Sequence, residues 1–259
     1  MLRQWQWHTR IMLTSLILAL IVGVLPWGNT FAGRVAAQKS FEGNVAKLRA
    51  VHAVPDIAGS PVDVYVDGSK VVTFDFFDAT DYLSVPAGLH TVQVTLAGAN
   101  PATDSVISAT LNLAANTAYS AIARGTAAPG VPDLGASVLV DDLSLPAAGQ
   151  ARVRVAHFAP AAPNVDIYVN GTKTITNAAY LDASAYLTVP AGSYTIGVAP
   201  TGDSVIYTTT LTLAADQVVT AWAVGLLGGT PAQTFRVVPT IDVQAPSEEV
   251  MIYLPAIFR

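Results

Sequence analysis

The sequence predicts an all-β protein: two tandem antiparallel β-sandwich domains, immunoglobulin-like, following a signal peptide. Three observations carry that expectation. Hydrophobic residues make up 52% of the chain and charged ones 12%, with Val, Ala, Thr and Gly frequent and Glu and Lys scarce, a balance that favours pleated, half-buried strands over amphipathic helices. Apolar residues alternate with period two in short runs bounded by Asp-Gly, Asn-Gly and Pro-Ala-Gly, the pattern of strands joined by tight turns. The whole set of runs is also written twice, roughly 100 residues apart, too long a period for a solenoid repeat and right for two sandwiches.

The elements follow in chain order. Residues 1–37 read as a signal peptide and leader. Arg3 and Arg10 precede the charge-free run Ile11 to Leu25, Pro26 and Gly28 break it, and small residues end at Ala32 and Ala37. The run falls short of the ~20 residues of a bilayer span, so export with cleavage after Ala32 or Ala37 is expected, and membrane contact only through an uncleaved signal. The net charge is −5, and the chain has no cysteine. Nucleic acid is therefore an unsuitable partner, and disulfides, thiolate metal sites and cysteine nucleophiles are excluded.

The first repeat is expected over 45–145. A strand at about 47–53 ends in Val-Pro-Asp. "VDVYVDG" alternates Val62, Val64 and Val66 inward with Asp63, Tyr65 and Asp67 outward. Asp67-Gly68 fits a two-residue type I′ turn, whose two positive φ angles suit Asp and Gly. That register sets Tyr65 across from Lys70. "YLSVPAGLHTV" (Tyr82 to Val92) reads as a second hairpin, with Leu83 and Val85 inward, Pro86 opening the turn and Gly88 closing it in a left-handed conformation. On the returning strand Val92, Val94 and Leu96 are expected inward and Thr95 outward. Strands at about 105–113, 117–124 and 136–143 complete the unit.

"SLPAAGQ" (Ser144 to Gln150) is the joint, short enough to hold the two units close. The second repeat, 150–243, restates each block: "VRVAHFAP" for "LRAVHAVP", "VDIYVNGTK" for "VDVYVDGSK", "YLTVPAGSYTI" for the second hairpin and "LTLAA" for "LNLAA". Asn170-Gly171 replaces Asp67-Gly68, an exchange that the I′ turn permits. Gly192 stands for Gly88, and Tyr168 again faces Lys173. Further strands are expected at about 151–158, 204–213, 217–224 and 234–242. A closed barrel is the alternative architecture. Residues 244–259 form a linker and an apolar tail, "VMIYLPAIFR". Ten residues containing a proline cannot span a bilayer, leaving a retention signal or a docked last strand.

The blocks "VHAVPD…PVDVYVDG…YLSVPAGLHTVQV" and "AHFAPAAPNVDIYVNG…YLTVPAGSYTIGV" resemble the domain of unknown function 4397 family over nearly all of 47–242. The resemblance implies exported bacterial proteins, tandem domains and a β-sandwich, and no catalytic residues to carry over. Copy two has Ala161 where copy one has Asp56, which removes that carboxylate from one half.

His52 and His157 hold one position in the two copies, each three residues after an arginine (Arg49, Arg154). Residues three apart on a strand face opposite sides, so neither pair forms a dyad. A metal or proton site is one reading; a strand-end imidazole bonded to the following loop is the better one, because a lone His is poor metal geometry. Asp63, Tyr65 and Lys70, with Asp166, Tyr168 and Lys173, are expected to form a polar strip on an outer sheet face, a candidate surface for a glycan or a partner. Gly68, Gly88, Gly171 and Gly192 are structural. Asp75, Asp78 and Asp81 could offer paired carboxylates or calcium ligands, but only Asp78 has a counterpart, Asp182. His90 becomes Tyr194 and Gln93 becomes Gly197, so chemistry at either position exists in one copy only. No phosphate-loop, zinc-protease or serine-hydrolase motif is present. The expectation is a non-enzymatic, cofactor-free cell-surface protein with a structural, adhesive or interaction role. Cell-envelope polysaccharide or a surface protein is the expected partner. A carbohydrate-binding tandem module is the alternative, and an extracellular hydrolase the remote one.

Overall fold

The structure, a computed structural model, describes residues 43–128 and 132–245. The signal segment and the apolar tail lie outside the described residues. The first repeat holds β1 (Val45–Ala53), β2 (Val62–Val66), β3 (Ser69–Phe74), β4 (Leu83–Pro86), β5 (Gly88–Leu96), β6 (Ile107–Leu113), β7 (Ala118–Arg124) and β8 (Gly135–Asp141). The second holds β9 (Gln150–His157), β10 (Val165–Val169), β11 (Thr172–Ala178), β12 (Leu187–Pro190), β13 (Gly192–Pro200), β14 (Tyr207–Leu213), β15 (Gln217–Val224) and β16 (Arg236–Gln244). Among the described residues no helix is long and apolar enough to cross a membrane.

Each repeat is a sandwich of two four-stranded sheets, β4-β1-β7-β8 over β3-β2-β5-β6 and β12-β9-β15-β16 over β11-β10-β13-β14. The sheets are mostly antiparallel. One pair per repeat, β1 with β7 and β9 with β15, is parallel, because the chain leaves the first strand, builds the opposite sheet and returns beside it in the same direction. Alternation fills each core: Ala46, Leu48, Val62, Val64, Val92, Val94, Ile107 and Leu111 in repeat one, Ala151, Val165, Ile167, Ile196, Val198 and Leu211 in repeat two.

The β2–β3 turn has Asp67 at φ 50° and Gly68 at φ 77°, and β10–β11 has Asn170 at 49° and Gly171 at 82°, the positive pair of a type I′ turn. Tyr65 pairs with Lys70 and Tyr168 with Lys173.

The Val-Pro-Ala-Gly stretch corrects the hairpin expectation. β4 pairs with β1, whereas β5 pairs with β2 and β6. The stretch is therefore a corner at which the chain crosses from one sheet to the other. Gly88 and Gly192 sit at φ 139° and 158°, an extended mirror conformation rather than the left-handed turn. The Ala87 amide bonds the Asn44 carbonyl and the Ala191 amide the Gly149 carbonyl, 2.9 and 3.0 Å. Hairpin and corner share the same turn residues, and only pairing partners separate them. Two inward assignments also change. Leu96 follows the alternation but lies past the end of the core, 49% exposed, while Thr95 is fully buried. Leu83 is 42% exposed on the edge strand β4.

A third apolar cluster joins the repeats. Val51, Ala53 and Ile122 pack on Ala156, Phe158, Trp222 and Val224. These side chains lie on the outer faces of the β1 and β9 sheets, which thus meet face to face. Every residue of β15 is buried as a result. The Phe158 and Trp222 rings meet edge to face at 5.6 Å, the arrangement that aromatic quadrupoles favour.

Candidate functional site

Of the sequence-predicted polar strip, Lys70 and Lys173 are exposed and Tyr65 and Tyr168 half-buried, whereas Asp63 and Asp166 are buried. In repeat one the loop after β5 folds back over the outer face of its sheet. The Gly98 amide donates to Asp63 Oδ2 at 2.8 Å, Gln93 Nε2 to the Pro101 carbonyl at 2.9 Å, and Tyr65 Oη to the Ala99 carbonyl at 3.5 Å. Asp63 is 1% exposed and also takes Lys70 Nζ at 2.7 Å and Thr73 Oγ1 at 2.5 Å. Burial opposes its ionisation, but the Gly98 amide, Lys70 and Thr73 outweigh it and hold the carboxyl down at about 2. Asp166 repeats the clasp with Lys173 Nζ at 2.5 Å and the Asn177 amide at 2.8 Å, which hold it at about 2. Both aspartates are thus buried anchors rather than surface groups. Lys70 and Lys173 stay partly exposed, and Lys173 Nζ lies 5.6 Å from the centre of the Tyr168 ring, covering a face that a sugar would need.

The histidines are buried in the two sandwich cores. His52 Nδ1 accepts the Val54 amide at 3.2 Å and His157 Nδ1 the Ala159 amide at 3.5 Å. An accepting Nδ1 leaves the proton on Nε2, the neutral ring. Burial lowers both, His52 to about 4. His52 packs against the rings of Phe74 and Phe76, while His157 Nε2 reaches the Pro163 carbonyl at 3.4 Å. Arg49 and Arg154 point to the opposite face, as strand geometry requires.

The aspartate loop is occupied internally. Asp75 Oδ1 accepts the Gly59 and Phe76 amides, and Asp78 Oδ2 accepts the Asp75 amide. Asp56, absent from copy two, caps the Ala127 and Ala128 amides. Among the described residues no group of three or more His, Cys, Asp or Glu is placed to hold a metal ion.

The densest polar constellation is one that the sequence reading did not single out, and it lies between the repeats. Arg49 Nη1 pairs with Asp242 Oδ1 at 2.7 Å, and Arg154 Nη2 pairs with Asp141 Oδ1. Each ion pair thus crosses from one repeat to the other, and the residues exchanged are equivalent. Ser120 Oγ takes Arg49 Nε at 2.7 Å and donates to Asp141 Oδ2 at 2.7 Å. Its counterpart Thr220 takes Arg154 Nε at 2.9 Å and donates to Asp242 Oδ2 at 2.6 Å. Tyr82 Oη bonds Asp141 at 2.7 Å and Tyr186 Oη bonds Asp242 at 2.8 Å. The Arg49 and Arg154 guanidiniums lie over those same rings at 4.9 and 4.8 Å. The two tyrosines open the repeated "YLSVPAG" and "YLTVPAG" blocks, so the sheet-crossing corner also delivers a clamp residue. All four charged groups are at most 5% exposed. Burial disfavours the Arg49 charge, but Asp242, Tyr82 and Asp141 more than compensate and leave its pKa raised; burial pushes the Tyr82 and Tyr186 phenols far up. Reciprocal contacts between equivalent residues make this an isologous interface inside one chain. The signal in the sequence was the recurrence of a charged residue within apolar strands, Asp141 and Asp242, in a chain poor in charge.

The family model described as "Domain of unknown function (DUF4397)" matches residues 46–168 and 155–252. No curated protein matches the chain significantly. Among solved structures, a leucine-rich repeat protein from Bacteroides thetaiotaomicron is similar at 12% identity and a TM-score of 0.17, over 71% of this chain and 26% of that one. The fimbrial anchor protein Mfa2 from Porphyromonas gingivalis is similar at 12% identity and a TM-score of 0.18, over 76% of this chain and 97% of that one. This chain spans about a quarter of the length of the former. Both scores are too low for either likeness to bear on fold or function.

Proposed function

The chain belongs to the DUF4397 family, matched in both repeats, and from that premise we propose a non-enzymatic, exported protein of the cell envelope that acts as a rigid two-sandwich module in structure or adhesion. The observation that carries the reading is where the polar side chains go. Asp63, Asp166, Asp75, Asp78 and the Arg49–Asp242 and Arg154–Asp141 pairs each hold backbone or the opposite repeat in place. A protein whose scarce charges lock two domains together is built to keep a fixed distance and orientation. The signal-like segment supports export.

Protease treatment of intact source cells is the test. Loss of the protein from intact cells supports a surface location; its protection there, with cleavage only after lysis, overturns it. Deleting residues 250–259 in the same cells asks whether the tail retains the protein. The carbohydrate-binding alternative rests on Tyr65 and Tyr168. It requires glycan binding that Tyr65→Ala with Tyr168→Ala abolishes, and a blank glycan panel removes it.

A further inference from the structure

The sandwich of repeat one holds a cavity of about 410 Å³, open on one side, lined by Val64, Val66, Leu83, Val85 and Val92 with Ala50 and Ala121. In repeat two the matching space is split into two smaller cavities of about 120 and 180 Å³. The difference follows from the sequence. Ala50, Val64, Val92 and His90 are replaced by Val155, Ile167, Ile196 and Tyr194, each larger, and these outweigh the smaller exchanges Leu48 to Val153, Val71 to Thr174 and Thr80 to Ser184. The space inside the duplicated frame is therefore one wide cavity in repeat one and two narrower ones in repeat two. A void of this size lined by aliphatic groups forgoes dispersion contacts and is costly to leave unfilled, and its volume falls in the range of small-molecule sites.

The mouth says what would enter. Two partly exposed apolar residues, Val71 and Leu83, form the rim. Beside them His90 Nδ1 meets Asp67 Oδ2 at 2.6 Å, and His90 Nε2 meets the Pro86 carbonyl at 2.8 Å. Both ring nitrogens face acceptors, which only the imidazolium satisfies. Among the residues that line the cavity, the His90 cation and the Asp67 anion thus neutralise each other. Neither is left to pair with a charged headgroup, while the half-exposed Asp67 carboxylate can still accept a hydroxyl.

We propose that repeat one binds the aliphatic chain of an uncharged, hydroxyl-bearing amphiphile in this cavity, and that repeat two does not. This goes beyond the structural role, which does not depend on it.

The test is calorimetric titration of the full chain with 1-decanol, with methyl NMR of the Val and Leu side chains to locate the site. One site per chain is expected, with shifts at Val64, Val66, Leu83 and Val92. The filled variant A50V/V64I/H90Y/V92I carries residues that repeat two already packs, and should bind at least tenfold more weakly. Should that variant fail to fold, A50V/V92I replaces it with the same expectation. The reverse set in repeat two, V155A/I167V/Y194H/I196V, should raise the stoichiometry towards two. The proposal is overturned by no saturable binding, by shifts away from these methyls, by equal affinity in the filled variant, or by decanoate binding more tightly than decanol.

Discussion

At the scale of the residue, identical letters serve different ends according to what surrounds them. His52 and His90 are the clearest pair. His52 is neutral and buried against phenylalanine, with its pKa lowered by burial to about 4. A base whose folded pKa lies below its unfolded value contributes stability above about pH 6.5, and loses it as pH falls towards 4. The span corresponds to about 3 kcal/mol as an order of magnitude. Urea unfolding between pH 7 and 4 should show this slope, and His52→Phe should flatten it. His90 has the opposite sign. Its bond to Asp67 raises its pKa, so its contribution is complete below the unfolded value and fades as pH rises through the folded one. In copy two the Tyr194 hydroxyl donates to the equivalent Pro190 carbonyl at 2.6 Å. Asp63 and Asp166 titrate lower still. Held at about 2, they stabilise the fold above about pH 4 and lose that contribution as pH falls from 4 to 2. The double variant D63N/D166N should have a lower urea midpoint at pH 7 and a shallower decline between pH 4 and 2.

At the scale of the element, strands were readable because alternation is local, and turns were readable only in part. Asp67-Gly68 declares its geometry, since both central φ angles must be positive. Pro86-Ala87-Gly88 does not declare whether β4 and β5 pair, because that depends on β1 and β2 competing for them. Two further glycines escaped notice for the same reason. Gly125 and Gly225 end β7 and β15 at φ 97° and 91°, and a Cβ there would lie 2.2 Å from the Asp133 carbonyl oxygen and 2.4 Å from that of Thr234. Their demand comes from a loop contact rather than from the turn itself. Gly225→Ala should therefore cost both backbone strain, about 1–2 kcal/mol, and overpacking, about 1–3 kcal/mol. Gly68→Ala, with nothing within 4 Å of its Cβ, should cost only the strain. Chemical denaturation of the two variants side by side measures the difference.

At the scale of the whole molecule, the reciprocal clamp makes the two sandwiches one body, and the described residues fall within a single compact unit. Removing one partner of a buried ion pair leaves an uncompensated charge and costs about 3–5 kcal/mol. Arg49→Met should lower the melting temperature accordingly, by about 6–20 °C for a chain of this size. Arg49→Met with Asp242→Leu should lose less than the two single variants together, because the double change leaves no orphan across that bond. A thermal or urea double-mutant cycle reads the coupling directly, and additivity would refute it. A single cooperative transition is expected in the parent chain, since neither repeat can shed the shared Trp222–Phe158 cluster alone.

The sequence by itself determined the duplicated all-β architecture, the strand positions, the I′ turns, the Tyr65–Lys70 and Tyr168–Lys173 registers and the opposed faces of Arg49 and His52. All of these follow from periodicity two, turn stereochemistry and repetition, which act over a few residues. Only the tertiary structure decided that Val-Pro-Ala-Gly crosses between sheets, that a returning loop buries Asp63, that Arg49 meets Asp242 rather than a ligand, and that repeat one holds one wide cavity where repeat two holds two narrower ones. Each of these depends on groups far apart in the chain, Arg49 and Asp242 being the furthest. No local pattern encodes which distant carboxylate a buried guanidinium will find.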